Sequence, residues 1–343
     1  MSRPLLSCTT CPNALEDLGD SLLCRGCGIA VPVLSGIPVF GEARLVNTES
    51  SRAAWHASLV EKYGLEPGRL ATEHARIAAR GAGEPVDAYA AFTPFNESSR
   101  VFEPFVELLR ARLQPREVIL DVGNRSGFTG EYLAGLFPEQ RVISIWEGPR
   151  GALGLRGFAH WFSGRDAARN LTIILTSPGS RLPLPSESCS LVHAYDALHR
   201  YTHHVFLPEL ARVARRDAPI CFPHVHLESP HAPSFEREGR LRSASEWASL
   251  LPTHAGPKRR VFIFGEATLF HAAAHGRAVC RAEELVEDYN AFIALLPSSM
   301  AGAPLPRLSK TPAPADALVP NPLLAASPVD GSVTRTKLAS RPR

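Results

Sequence analysis

The stretch Val118-Ile-Leu-Asp-Val-Gly-Asn-Arg-Ser-Gly-Phe128 decides how this chain is read. Val118, Ile119, Leu120 and Asp121 make a short apolar run closed by an acid, the pattern of a buried strand. A turn bounded by Gly123 and Gly127 follows. Phe128, Tyr132, Leu133, Leu136 and Phe137 then recur at helical spacing. Strand, glycine turn and helix in that order place a ligand at the carboxyl end of a strand in an open α/β sheet.

Two more stretches follow downstream. One is Leu182-Pro-Leu-Pro-Ser-Glu-Ser-Cys-Ser-Leu-Val-His-Ala-Tyr-Asp-Ala-Leu-His199, and the other is Glu209-Leu-Ala-Arg-Val-Ala-Arg215. With the glycine turn, they resemble the ordered motifs of class I S-adenosylmethionine-dependent methyltransferases of the ubiquinone/menaquinone-biosynthesis-like type. The resemblance covers roughly Glu117–Leu227. It implies a Rossmann-like α/β fold, a seven-stranded sheet with helices on both faces, and S-adenosylmethionine as cofactor. It places Asp121, Gly123, Arg125 and Gly127 at the cofactor turn. Glu147 is a displaced candidate for the ribose, and Ala194, Tyr195 and Asp196 fall beside the methionine end of the cofactor.

The chain departs from the family pattern at defined points. Arg125 replaces the middle glycine of the turn, adding a Cβ and a long side chain where backbone would approach the ligand. Trp146 stands where the family has its ribose-binding acid. Thr176, Ser177 and Pro178 stand where an acid would face the adenine, and Arg216-Asp217-Ala218 replaces a Pro-Gly-Gly turn. These departures motivate a rival reading, a catalytically silent methyltransferase fold acting as a binding or scaffold module.

Working outward, Cys8-x-x-Cys11 and Cys24-x-x-Cys27 form a paired array with twelve residues between the pairs. Each pair can sit on a tight knuckle, so four thiolates can surround Zn2+ tetrahedrally. Two disulfides are the rival, and they fit poorly with a reducing compartment. The following Ala30-Val-Pro-Val-Leu-Ser-Gly-Ile-Pro-Val-Phe40 resembles the end of a zinc-ribbon family. That family includes the small activating partner of tRNA and release-factor methyltransferases. Ser35 replaces its usual aspartate. Closed four-cysteine sites are structural, and the metal contributes folding energy.

Four regions are expected: a zinc ribbon over 1–44, a linker and helical cap over 45–100, a methyltransferase-like domain over 101–296, and a disordered Pro/Ala-rich tail over 297–343. Strands are expected near 117–122, 141–146, 171–175, 189–194, 218–226, 259–264 and 267–273. Helices are expected near 127–137, 150–163, 204–215, 243–252 and 280–295.

The net charge of +3 is unevenly spread. From Ala301 onward Arg307, Lys310, Arg335, Lys337, Arg341 and Arg343 stand against Asp316 and Asp330, a net of +4, which leaves the body at −1. A body near neutrality lacks the broad basic footprint of a nucleic-acid binder. No apolar run approaches the length needed to span a bilayer. The first residues lack the apolar core of a secretory signal, so a cytoplasmic protein is expected.

Methyl transfer from a sulfonium needs little acid–base machinery, and no triad is evident. His199, His224 and His226 are the candidate catalytic side chains. His224-Val-His226 would point both rings to one side of a strand. A second metal there would have two histidines to hold it; two alone read more simply as polar groups at a strand end. The chain is therefore expected to be a methyltransferase with a small-molecule acceptor favoured over RNA or protein.

Overall fold

A computed structural model of the chain describes residues 6–63, 109–122, 128–146, 170–228, 241–265 and 290–300, with short interruptions and a few further single positions. The chain divides into two compact units. One comprises Met1–Tyr89, Pro115–Ser190 and Arg212–Arg215; the other comprises Ala90–Gln114, Leu191–Ala211 and Arg216–Arg343.

The first unit opens with short antiparallel strands: β1 (Leu15–Asp17), β2 (Ser21–Cys24), β3 (Ile29–Leu34), β4 (Ile37–Pro38) and β5 (Arg44–Leu45). Gly28 follows the last cysteine with φ +75, a conformation that costs a side-chain-bearing residue but not glycine. Its amide closes the knuckle on Cys24 O at 2.8 Å. Helix α1 (Glu49–Tyr63) then lies against β3. Trp55 and Leu59, one helical turn apart, are both buried, and His56 Nε2 meets Val33 O at 2.9 Å. Burial of two such side chains contributes about 3–6 kcal/mol before entropy is counted.

The next strands of this unit are β6 (Val118–Val122), β7 (Arg141–Trp146) and β8 (Leu171–Leu175). They pair in parallel, Asp121 opposite Ser144 and Trp146 opposite Leu175. Such strands are covered on both faces and read as near-continuous apolar runs. Helix α2 (Phe128–Leu136) crosses them, burying Leu133, with Phe137 buried just past its end. The Asn170 side-chain amide, just before β8, reaches the carbonyls of Ala134, Phe137 and Gln140 at 3.3, 2.9 and 3.1 Å. It satisfies groups that a helix end leaves without intrahelical partners.

The ribbon docks on this sheet within the same unit. Val39 bridges in parallel to Leu175, and the Ser7 amide donates to Pro183 O at 3.0 Å. The exposed edge of β8 is thereby covered.

Strand β9 (Cys189–Ala194) leads into the second unit, which holds all but the last two residues of helix α3 (His203–Val213), strand β10 (Ile220–His226), helix α4 (Ala244–Ala255), and strands β11 (Arg259–Gly265) and β12 (Asn290–Pro297). β10 runs parallel to β9, and β12 runs antiparallel to both β10 and β11. The order of the seven-stranded sheet is β11-β12-β10-β9-β6-β7-β8. This is a Rossmann-like α/β sheet with one antiparallel strand, the sheet that the resemblance to class I methyltransferases implies.

One expectation is corrected. The last strand among the described residues is Asn290–Pro297, where a helix over 280–295 was expected; the strand expected over 267–273 falls outside the described residues. The run Ala291-Phe-Ile-Ala-Leu-Leu296 is buried throughout. β12 lies between two partners and is covered on both faces, so it shows no period-two alternation. A continuous apolar run of that kind reads equally as a buried helix. The helix expected over 150–163 and, beyond Tyr63, most of the linker and cap expected over 45–100 also lie outside the described residues.

Candidate functional site

Among the described residues, three clusters carry chemistry. The first is the ribbon. Cys8, Cys11, Cys24 and Cys27 are free thiols whose sulfur atoms all lie within 4.8 Å of one another. Cys8 Sγ is 3.6 Å from Cys27 Sγ, and Cys11 Sγ is 3.3 Å from Cys24 Sγ. A tetrahedron with metal–sulfur bonds of about 2.3 Å has edges of about 3.8 Å, so the four sulfurs suit one tetrahedral cation. Burial alone would raise the Cys24 thiol, but Cys11 and the Cys27 and Gly26 amides turn toward it and bring it down to about 7. Its partners move the other way: the contact with Cys24 raises Cys11, and against the Ile29 amide, burial and the neighbouring sulfurs push Cys27 up to about 12, so a cation must displace protons to bind all four sulfurs.

The second cluster lies at the carboxyl ends of β6 and β7. Asp121 is fully buried. Its Oδ2 accepts hydrogen bonds from Thr129 Oγ1 at 2.9 Å and Ser144 Oγ at 2.7 Å. Trp146, buried at the end of β7, donates its indole N–H to Ser144 Oγ at 3.1 Å. The carboxylate therefore ties α2 and β7 to the end of β6, just before the glycine turn. Trp146 thus directs its donor inward, into the Asp121 network. Gly123, Arg125, Gly127 and Glu147 lie outside the described residues.

The third cluster lies at the carboxyl ends of β9 and β10. Ala194 and Tyr195 are buried, and Asp196 follows them with φ +50. Its amide donates to Pro223 O at 2.9 Å. On β10 the register shifts between Phe222 and Val225, and His224 has φ +58. A bulge of this kind re-aims side chains next to a site. His224 stacks on Tyr195 with centroids 5.5 Å apart, and its ring stands edge-on to His226 at 4.7 Å. His226 comes to 4.4 Å from His199, centroid to centroid.

Asp196 is the centre of this cluster. Its Oδ1 is 3.2 Å from His199 Nε2 and 3.5 Å from His226 Nε2. Neither approach is an aligned hydrogen bond to that oxygen. Arg200 holds the other oxygen, and Arg200 Nε donates to the Asp196 carbonyl at 2.6 Å. Burial would raise the Asp196 carboxyl, but His199, His226 and Arg200 outweigh it and hold it well below the usual carboxylate range. Burial pushes His199 below its ordinary value, against the opposing pull of Asp196.

The structure thus brings His199 and His226 together with Asp196, while His224 packs beside them on Tyr195. Sequence reasoning placed Asp196 beside the cofactor and missed its partnership with the two histidines. It missed Arg200, Ser144 and Thr129 altogether. The available signal was Asp196-x-x-His199, three residues apart on a turn, with a His-x-His pair closing the neighbouring strand.

No protein-family model matches the chain, and no curated protein matches it. Solved structures do. A S-adenosylmethionine-dependent methyltransferase from Aquifex aeolicus is 18% identical, over 57% of this chain and 90% of that one, with TM-score 0.39. Phosphoethanolamine N-methyltransferase 2 from Haemonchus contortus, in complex with S-adenosylmethionine, is 11% identical over 59% of this chain, with TM-score 0.43. The match spans 52% of that enzyme, about half its length. Geranyl diphosphate C-methyltransferase from Streptomyces coelicolor is 12% identical over 63% of this chain and 83% of that one, with TM-score 0.42. These are likenesses of fold, and the fold assignment itself rests on the strand order.

Proposed function

We propose that the chain is a S-adenosylmethionine-dependent methyltransferase acting on a small molecule, with a structural zinc ion in its amino-terminal ribbon. The observation that carries the reading is the sheet order, with its antiparallel β12 inserted between β10 and β11. In open sheets of this kind ligands sit at the carboxyl ends of the strands. The cofactor is assigned to the carboxyl end of β6, where Asp121 ties the strand to β7 and α2. Bound there, the cofactor supplies a methyl group already activated on its sulfonium.

The protein's own part is to hold donor and acceptor in line. A base is needed only where the acceptor must lose a proton. His199, His224 and His226 are candidates for that role at the ends of β9 and β10. Four thiols on two knuckles support zinc in the ribbon, and no helix among the described residues is long and apolar enough to cross a membrane. The near-neutral body supports a small acceptor over nucleic acid. The resemblances to the ubiquinone-type enzymes and to the ribbon partner subunit belong to the same reading.

A second reading has its own observation. Trp146 occupies the ribose-acid position with its indole turned into the Asp121 network, which suits a fold retained as a binding module. Methyl-labelled S-adenosylmethionine incubated with the chain and separate metabolite, RNA and protein fractions tests the assignment. Label in the metabolite fraction supports it. Label only in RNA or protein replaces the acceptor class, and none in any fraction favours the binding module.

A further inference from the structure

Asp196, His199 and His226 come from two neighbouring strand ends, and one donor atom of each lies within 4.8 Å of the others. We propose that these three side chains form a second metal site, separate from the ribbon, for one divalent first-row transition cation such as Zn2+. Two imidazoles and one carboxylate are the donor set that such cations take, with coordination positions left open.

The distances fit the chemistry. Metal–nitrogen and metal–oxygen bonds of about 2.0–2.1 Å in a tetrahedron put neighbouring donors about 3.3–3.4 Å apart. Asp196 Oδ1 lies 3.2 Å from one imidazole Nε2 and 3.5 Å from the other. Oδ1 has no aligned hydrogen bond although both imidazoles stand within ion-pair reach of it, which leaves the oxygen available to a cation that all three donors could share. Arg200 grips Oδ2 and the Asp196 backbone, leaving Oδ1 to act as a single-oxygen ligand held in orientation by an outer partner.

Two features set the expected strength. The His226 amide donates to His199 Nδ1 at 3.4 Å. Metal on Nε2 moves the ring proton to Nδ1, so that contact, already at the long limit of a hydrogen bond, is given up. Arg200 also adds a positive charge beside the carboxylate. The site is therefore weaker than the four thiolates of the ribbon and fills second. The assignment does not depend on methyl transfer.

The test is metal titration of the full chain, stripped with a chelator under reducing conditions, using Zn2+ and Co2+ in turn. The expected result is two equivalents per chain. The first Co2+ gives intense thiolate charge-transfer absorption, and the second adds only weak visible bands of a nitrogen and oxygen site. His226→Gln and Asp196→Asn each weaken the second step by more than the 10- to 100-fold that loss of an outer partner typically costs, with the charge-transfer band unchanged. Saturation of the wild-type chain at one equivalent overturns the proposal, whatever the variants do. So does a second equivalent of unchanged affinity in both folded variants.

Discussion

Asp121 holds its place because Ser144 can stand beside it, and Ser144 can stand there because residue 130 is glycine. A Cβ built on Gly130 would meet Ser144 Cβ and Oγ at 2.9 Å and Leu171 Cδ1 at 3.2 Å. Alanine in a helix gains about 1 kcal/mol over glycine, whereas forcing a methyl into a packed interior costs about 1–3 kcal/mol. Gly130→Ala is therefore expected to be neutral to destabilising, by up to about 2 kcal/mol, in chemical denaturation. A gain of the full helix-propensity increment would show that α2 does not press on β7. The acid closing the strand was legible in the sequence, because an apolar run broken by Asp121 and followed by glycine has few other readings. Its partners were not. Thr129 and Ser144 are common residues, 8 and 23 positions away, and only the pairing of β6 with β7 brings the second to Asp121. His199 and His226 were named individually for the same reason, without the Asp196 that joins them.

Among the elements, α4 shows how local sequence sets a boundary. Ser243 caps it: its hydroxyl accepts from the Glu246 amide at 3.2 Å, while Glu246 Oε2 accepts from the Ser243 amide at 2.8 Å. Ser243→Ala is expected to cost about 0.5–2 kcal/mol in thermal or chemical unfolding. The Ser243 amide, then its hydroxyl, holds the Glu246 carboxyl below the usual range. A carboxyl lowered on folding stabilises above its unfolded pKa and loses that contribution as pH falls through its folded value. Glu246→Gln should thus be less stable than wild type near neutral pH, with the gap closing below about pH 4. A gap independent of pH would remove the charge from the account. Strands β6 to β11 were legible at their observed positions to within about two residues, since apolar runs bounded by turn residues are strong signals. β12 was not. Its apolar run lacks alternation because neighbouring strands and the core cover it from every side, so periodicity could not separate strand from helix.

At the scale of the whole chain, the ribbon and the first half of the sheet are one compact unit, joined by Val39 to Leu175 and Ser7 to Pro183. The cysteine spacing made the ribbon legible, but nothing in it said where the ribbon would dock. That depends on the edge of β8 needing cover and on a ribbon strand shaped to supply it. Metal removal should therefore reach beyond the knuckles. Hydrogen exchange after chelation is expected to rise over β2 to β4 and also over Leu171–Leu175. A rise confined to the ribbon would show that docking does not depend on the metal. The central claim is that this fold still holds the methyl donor, and calorimetric titration of the zinc-loaded chain with S-adenosylmethionine and S-adenosylhomocysteine tests it most directly. The account predicts saturable binding of both, lost in a folded Gly123→Trp variant whose indole fills the turn. A folded wild-type chain that gives no heat at ligand concentrations of about 1 mM, where even a weak site of about −4 kcal/mol would be half filled, would contradict it.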